Sequence, residues 1–178
     1  MQSNQSGNKA NLILVGFMGT GKTSVGKELA TKLRMTFLDM DDIITDRAGK
    51  PISRIFAENG EPYFRTIERD LVKELSGKNN LVIATGGGIV LNNDNIKDFN
   101  LTGLVICLYA TPETILTRVA SDTSRPLLAG NDKMGKIMKL LESRRHLYES
   151  ITHKIDTSDM TINEVVSTAL KIYKTISK

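Results

Sequence analysis

Gly16-Phe17-Met18-Gly19-Thr20-Gly21-Lys22-Thr23 is the stretch from which the rest of the chain can be read. It fits GxxxxGK[ST], with an apolar run, Leu12 to Val15, before it and an amphipathic helical pattern, Ser24 to Leu33, after it. A glycine-rich turn from strand to helix lets successive backbone N–H groups point inward at phosphate oxygens, and the helix N-terminus adds partial positive charge. Gly19, Thr20, Gly21, Lys22, Thr23 and Ser24 are therefore candidate nucleotide-binding residues. In such a loop Lys22 reaches the β/γ-phosphates and Thr23 ligates Mg²⁺.

Working outward, apolar runs that read as buried strands occur at Leu12 to Val15, Thr36 to Leu38, Leu81 to Ala84, Leu104 to Tyr109 and Lys154 to Asp156. Helical patterns lie between and after them at 24–33, 42–48, 52–59, 61–75, 112–120, 133–148 and 162–176. Thr111 before Pro112, and Thr161 three residues before Glu164, are helix-start signals. Short apolar strands alternating with helices predict an α/β fold: a parallel sheet covered on both faces, with ligands bound beyond the carboxyl ends of its strands. Ser121 to Asp132 fits no element; a polar connection of that length is expected to be a lid.

Three further groups of residues lie at such strand ends or carry charge suited to an anion. Asp39 and Asp41 follow the second strand, and alternation along an extended chain would put both on the side of the phosphate cleft, with Met40 facing away. The competing reading is that these acids, Asp42 above all, begin the next helix. Gly86-Gly87-Gly88 follows the third strand and lets a ligand approach bare main chain. Arg65, Arg118, Arg125 and Arg144 are candidate forks for carboxylate and phosphate, although Arg65 and Glu68, three apart on one helix, also suit an ordinary surface pair.

Composition narrows the function classes. The 178 residues carry a net charge of +4 with only 5% aromatics, and their basic groups are spread among acids, so no nucleic-acid surface is indicated. No linker divides the chain, and a single domain over 1–178 is expected. Cys107, the one cysteine, lies inside an apolar run and reads as core. The polar N-terminus lacks an apolar signal segment and no run is long enough to span a membrane, so a cytoplasmic location with no membrane partner is expected.

In order, GFMGTGKTSVGKELA, FLDMD, GEPYFRTIERD, VIATGGG, RPLLAG and RRHLY resemble shikimate kinase over nearly the whole chain. The resemblance implies a nucleoside-monophosphate-kinase-like P-loop fold with strand order 2-3-1-4-5 and a closing lid. It implies phosphorylation of the 3-hydroxyl of shikimate by ATP with Mg²⁺, on the way to aromatic amino acids; a monomer is expected. Asp41, Arg65, Gly86, Gly87, Gly88 and Arg144 would hold shikimate, with Arg65 and Arg144 on its carboxylate. Thr23 and Asp39 would serve Mg²⁺. Lys22 and Arg125 would stabilise the transferring group, Asp41 would take the hydroxyl proton, and Arg118 would lie against adenine. Many members place an arginine after the last strand; here Asp156-Thr157-Ser158-Asp159-Met160 stands there, and Met160 is the substitute candidate for the other face of the base. Two other readings are a kinase of another hydroxy acid such as gluconate, and a GTPase switch suggested by Asp46-Arg47-Ala48-Gly49 and His153-Lys154-Ile155-Asp156.

Overall fold

The computed structural model describes residues 10–120 and 132–176. Their five strands are β1 (Asn11–Val15), β2 (Thr36–Asp39), β3 (Leu81–Ala84), β4 (Gly103–Tyr109) and β5 (His153–Asp156). All pair in parallel, in the order β2-β3-β1-β4-β5. The P-loop strand β1 is therefore central, between β3 and β4, and every residue of β1 and β3 is buried.

Period-two alternation sends the side chains of these strands to two separate cores. Leu12 and Leu14 join Val82, Ile106 and Leu108 beneath α1 (Lys22–Leu33) and α7 (Ile162–Ile176). Ile13 and Val15 join Ile83, Val105 and Cys107 on the opposite face. That second face is covered by α2 (Met40–Ala48), α3 (Ile52–Ser76), α4 (Asn93–Thr102), α5 (Pro112–Val119) and α6 (Lys133–Glu149). Cys107 is 1% exposed, and burial pushes its thiol up to about 11, as its reading as core requires.

The helix starts are encoded locally. Thr111 caps α5 by accepting from the Thr114 N–H, with Pro112 at the first helical position. Thr161 and Glu164 close a reciprocal box at the start of α7: the Glu164 carboxylate accepts from Thr161 N at 2.7 Å and Thr161 Oγ1 accepts from Glu164 N at 3.3 Å. The two helical patterns at 52–59 and 61–75 run together as α3, broken at Gly60, whose φ of 81° and ψ of 166° lie outside the helical region.

One helix escapes its sequence. α4 buries Asn95, Ile96 and Phe99, leaves Leu101 exposed, and so shows only two apolar residues on its inner face. Its start signal is Asn92, which accepts from Asp94 N; a short 3-10 turn, Ile89–Leu91, precedes it. The GTPase fragments fall away at the same time. Asp46 to Ala48 lie within α2 and Gly49 is its C-cap, while His153 to Asp156 form β5 itself. Among the described residues no helix is long and apolar enough to cross a membrane. Ser121 to Asn131, most of the expected lid and including Arg125, lie outside the described residues; Asp132 caps α6 by accepting from Gly135 N.

Candidate active site

The P-loop leaves β1 at Gly16 and enters α1 at Lys22. Gly19 and Gly21 have φ of 75° and 94°, a left-handed backbone that other residues adopt only with strain, so the loop needs glycine there. Thr20 Oγ1 donates to the Phe17 carbonyl at 2.8 Å and braces the turn. Lys22 Nζ folds back over the loop, donating to the carbonyls of Gly16 at 2.8 Å and Phe17 at 2.9 Å. Thr23 and Ser24 are on the first turn of α1, with Ser24 exposed.

The two aspartates reach the site by a different route from the one expected. Asp39 is the last residue of β2, but the chain turns into α2 at Met40, so strand alternation does not extend to Asp41. Asp39 instead caps α2: its Oδ1 accepts from Asp41 N at 3.0 Å, and its Oδ2 accepts from Thr23 Oγ1 at 2.8 Å. Capping thus ties Asp39 to the P-loop and aims Asp41 elsewhere, while Met40 is fully buried. Asp42 is exposed in the first turn, in keeping with the helix-start reading; desolvation and the neighbouring Asp39 charge raise its carboxyl above the ordinary value.

Asp41 faces a cavity of about 280 Å³ whose walls include Arg65, Glu68, Gly86, Gly87, Gly88 and Arg144, with Met18, Phe56 and Phe64. Arg65 lies so close to Gly88 that any side chain there would collide with its guanidinium, and a Cβ on Gly86 would lie 3.0 Å from both Asp41 Oδ1 and Glu68 Oε1. The three glycines therefore let two carboxylates and an arginine close on the strand end. Gly87 also joins this cavity to the nucleotide loop, since a Cβ on it would lie 3.3 Å from Met18 N. Arg144, 6% exposed, donates to the Gly87 carbonyl at 3.3 Å, and the Tyr148 hydroxyl donates to the same oxygen at 2.5 Å.

Arg65 and Glu68 do pair, at 2.8 Å, but not on the surface: Glu68 is 2% exposed. The expectation of an ordinary surface pair is corrected by the packing of α3 against the glycine turn. Burial raises the Glu68 carboxyl, the Arg65 charge opposes this, and the net direction is upward. For Arg65 burial lowers the pKa, but Glu68 and Glu61 outweigh it and the guanidinium is held more firmly protonated than usual. Glu61 takes a second bond from Arg65 at 2.8 Å. Spacing shows that Arg65 and Glu68 could meet; it carries no signal that Glu68 lines the cavity. Tyr148 stands in the RRHLY motif, but a tyrosine at a helix end reads as core and carries no signal of a role in the site.

On the other side of the P-loop, Arg118 donates from Nη1 to Gly19 O at 3.3 Å and from Nη2 to Thr157 O at 2.6 Å. Met160 is half-buried against the core beneath α1 and α7, where its thioether packs on apolar neighbours. As for metal, Thr23 Oγ1 and Asp39 Oδ2 put two hard oxygen donors side by side, which suits a cation that keeps several waters and shares phosphate oxygens. Among the described residues no group of three or more His, Cys, Asp or Glu could cage an ion.

The geometry is that of a P-loop next to a small, arginine-lined acid pocket. A gluconokinase from Sinorhizobium meliloti, 16% identical with a TM-score of 0.56 over 94% of this chain and 93% of its own, shares the fold alone. Shikimate kinase from Acinetobacter baumannii, solved in complex with shikimate, matches with a TM-score of 0.89 at 36% identity over 94% of each chain. The shikimate kinase of Caldanaerobacter subterraneus subsp. tengcongensis is 45% identical over 163 residues, 92% of this chain and 95% of its own. That of Thermoanaerobacter pseudethanolicus is 44% identical over 168 residues, 94% of this chain and 98% of its own. The family model for shikimate kinase matches residues 18–174, which takes in most of the P-loop, the acid pocket and both arginines facing it, and the chain belongs to the shikimate kinase family.

Proposed function

We propose that the protein transfers the γ-phosphoryl group of ATP to the 3-hydroxyl of shikimate, giving shikimate 3-phosphate and ADP. The observation that carries this is the convergence of Asp41, Arg65 and Arg144 on one cavity that Gly87 joins to the P-loop. An acceptor with one carboxylate and several hydroxyls matches that lining, because the two guanidinium groups bind the acid and Asp41 remains for a hydroxyl.

Little covalent work falls to the protein in phosphoryl transfer; positioning and cations around the transferred group do most of it. The backbone N–H groups of Gly19, Thr20 and Gly21 and the first turn of α1, with Thr23 and Ser24, cradle the phosphates. Lys22 exchanges its bonds to the loop carbonyls for phosphate oxygens and follows the charge into the transition state. Asp41 accepts the hydroxyl proton as the new P–O bond forms and the bond to ADP breaks. Arg65 and Arg144 hold the carboxylate, with Glu68 orienting Arg65 from beneath. Thr23 and Asp39 would hold Mg²⁺, which when bound would neutralise phosphate charge. Arg118 lies along the base; Arg125, which falls outside the described residues, is the second phosphate cation that the resemblance implies. Met160, half-buried against the core beneath α1 and α7, is the candidate for the other face of the base.

On this reading residues 1–178 work as a single domain and a monomer in the cytoplasm, with no nucleic-acid or membrane partner. The test is a coupled ADP-release assay against a panel of hydroxy acids with and without Mg²⁺. Turnover with shikimate that stops on chelation is expected; turnover with gluconate and none with shikimate would overturn the assignment.

A further inference from the structure

Thr157 follows the last residue of β5 and is 2% exposed. Its hydroxyl does three things at once. It accepts from Arg118 Nη1 at 2.9 Å, and it offers its proton to the carbonyls of Thr20 at 3.3 Å and Tyr109 at 3.1 Å. The Thr157 backbone adds two bonds: its N–H donates to Tyr109 O at 2.8 Å and its carbonyl accepts from Arg118 Nη2 at 2.6 Å. One side chain therefore joins the crest of the P-loop, the end of β4 and the guanidinium on α5.

The neighbours of Thr157 keep it in place. Asp156 Oδ1 accepts from both Ser158 N at 2.9 Å and Ser158 Oγ at 2.6 Å, and Ser158 Oγ accepts from Thr111 N at 3.0 Å at the start of α5. Helix α5 reaches the P-loop a second time through Val119, whose Cγ1 lies 2.9 Å from where a Cβ on Gly19 would be. A long, exposed arginine would ordinarily sample many rotamers, and ordering it on ligand binding would cost affinity. Here two acceptors from one rigid turn set the plane of the guanidinium beforehand.

We infer that Thr157 is a positioning residue for the nucleotide, whose buried hydroxyl clamps Arg118 to the P-loop crest so that the cation is oriented before the nucleotide arrives. The inference rests on the reading of Arg118 as a nucleotide-side residue. Thr157→Val keeps the shape and removes the hydroxyl; Thr157→Ser keeps the hydroxyl. ADP binding, measured by calorimetry with Mg²⁺, needs no acceptor and so isolates this half of the site. Thr157→Val is expected to weaken ADP roughly tenfold, as loss of a bond to a charged group does. Thr157→Ser should restore affinity, and the KM for shikimate should stay within about twofold in both, since among the described residues Thr157 bonds only Arg118, Thr20 and Tyr109 and none of these lines the acceptor cavity.

The deciding arm is a double-mutant cycle with Arg118→Ala. In that background Thr157→Val should change ADP affinity little. An equal loss with and without Arg118 would make Thr157 a fold staple and overturn the inference, as would unchanged ADP affinity in Thr157→Val alone. Should the valine variant fail to fold, Thr157→Ala takes its place in the same cycle, with the same two outcomes for and against. A wild-type protein that binds ADP but turns over no shikimate would defeat the proposed function while leaving the clamp open to the same measurement.

Discussion

The nucleotide loop and the acceptor cavity touch at Gly87, yet they are built on opposite principles. In the loop, the Thr20 and Lys22 side chains bond their immediate neighbours, Thr20 to Phe17 and Lys22 to Gly16 and Phe17, all within six residues. In the cavity the working groups come from α2, α3, the turn after β3 and α6, and Arg65, Glu68 and Arg144 are already bonded to protein before any ligand is present. The first arrangement lets a cation leave its resting contacts at small cost. The second places an ion pair in the cavity wall with Glu68 buried, where removing either partner strands the other.

The contrast predicts how each half breaks. Lys22→Met should have the largest effect, lowering kcat by about 10³-fold while the melting temperature stays put, because no core contact is lost. Near-normal turnover in this variant would sink the P-loop mechanism. Asp41→Asn should follow, with kcat down by about 10²-fold and ADP·Mg²⁺ affinity retained, since the amide keeps the shape and cannot take a proton. If nucleotide affinity collapses instead and acceptor binding survives, the roles of Asp41 and Asp39 are exchanged.

Arg144→Leu and Arg65→Leu should each weaken shikimate binding by about 2 kcal/mol, the scale of a lost charge-assisted bond. Their stabilities should differ. Arg65→Leu leaves Glu68 buried without its counter-charge, so its melting temperature should drop further than that of Arg144→Leu. Equal melting temperatures would mean that Glu68 is not held by Arg65.

The smallest effect is one of pH. The Glu68 carboxyl titrates above its ordinary 4.5 in the folded protein, so the native state binds this proton more tightly than the unfolded chain does. Its contribution to stability is complete below about 4.5 and is lost as pH rises through the raised value. Glu68→Gln, which does not titrate, should therefore gain on the wild type as pH rises across that window, as read from paired thermal melts. A difference that shrinks with rising pH would contradict the direction of the shift.

What can be read from the sequence alone follows from the range of the interactions involved. The phosphate loop, the five strands and most helix starts are marked by signals within a few residues: glycine conformations, short apolar runs, and caps such as Thr111 and the Thr161–Glu164 box. The helix with a weak apolar stripe, α4, is the exception, because two buried apolar residues make no period. Asp41 does line the cavity, but extended alternation is the wrong reason for it: a cap at Asp39 turns the chain into α2 and carries Asp41 there.

Only the tertiary structure decided the depth of each charge. Whether Arg65 and Glu68 make a solvated surface pair or a buried one depends on Gly86 and Gly88 arriving from another element and leaving no side chain in the way. The same holds for Tyr148 on Gly87 and Thr157 on Arg118, bonds spanning 61 and 39 residues. Dielectric surroundings and desolvation are set by what packs above a group, and one-dimensional spacing carries no record of that.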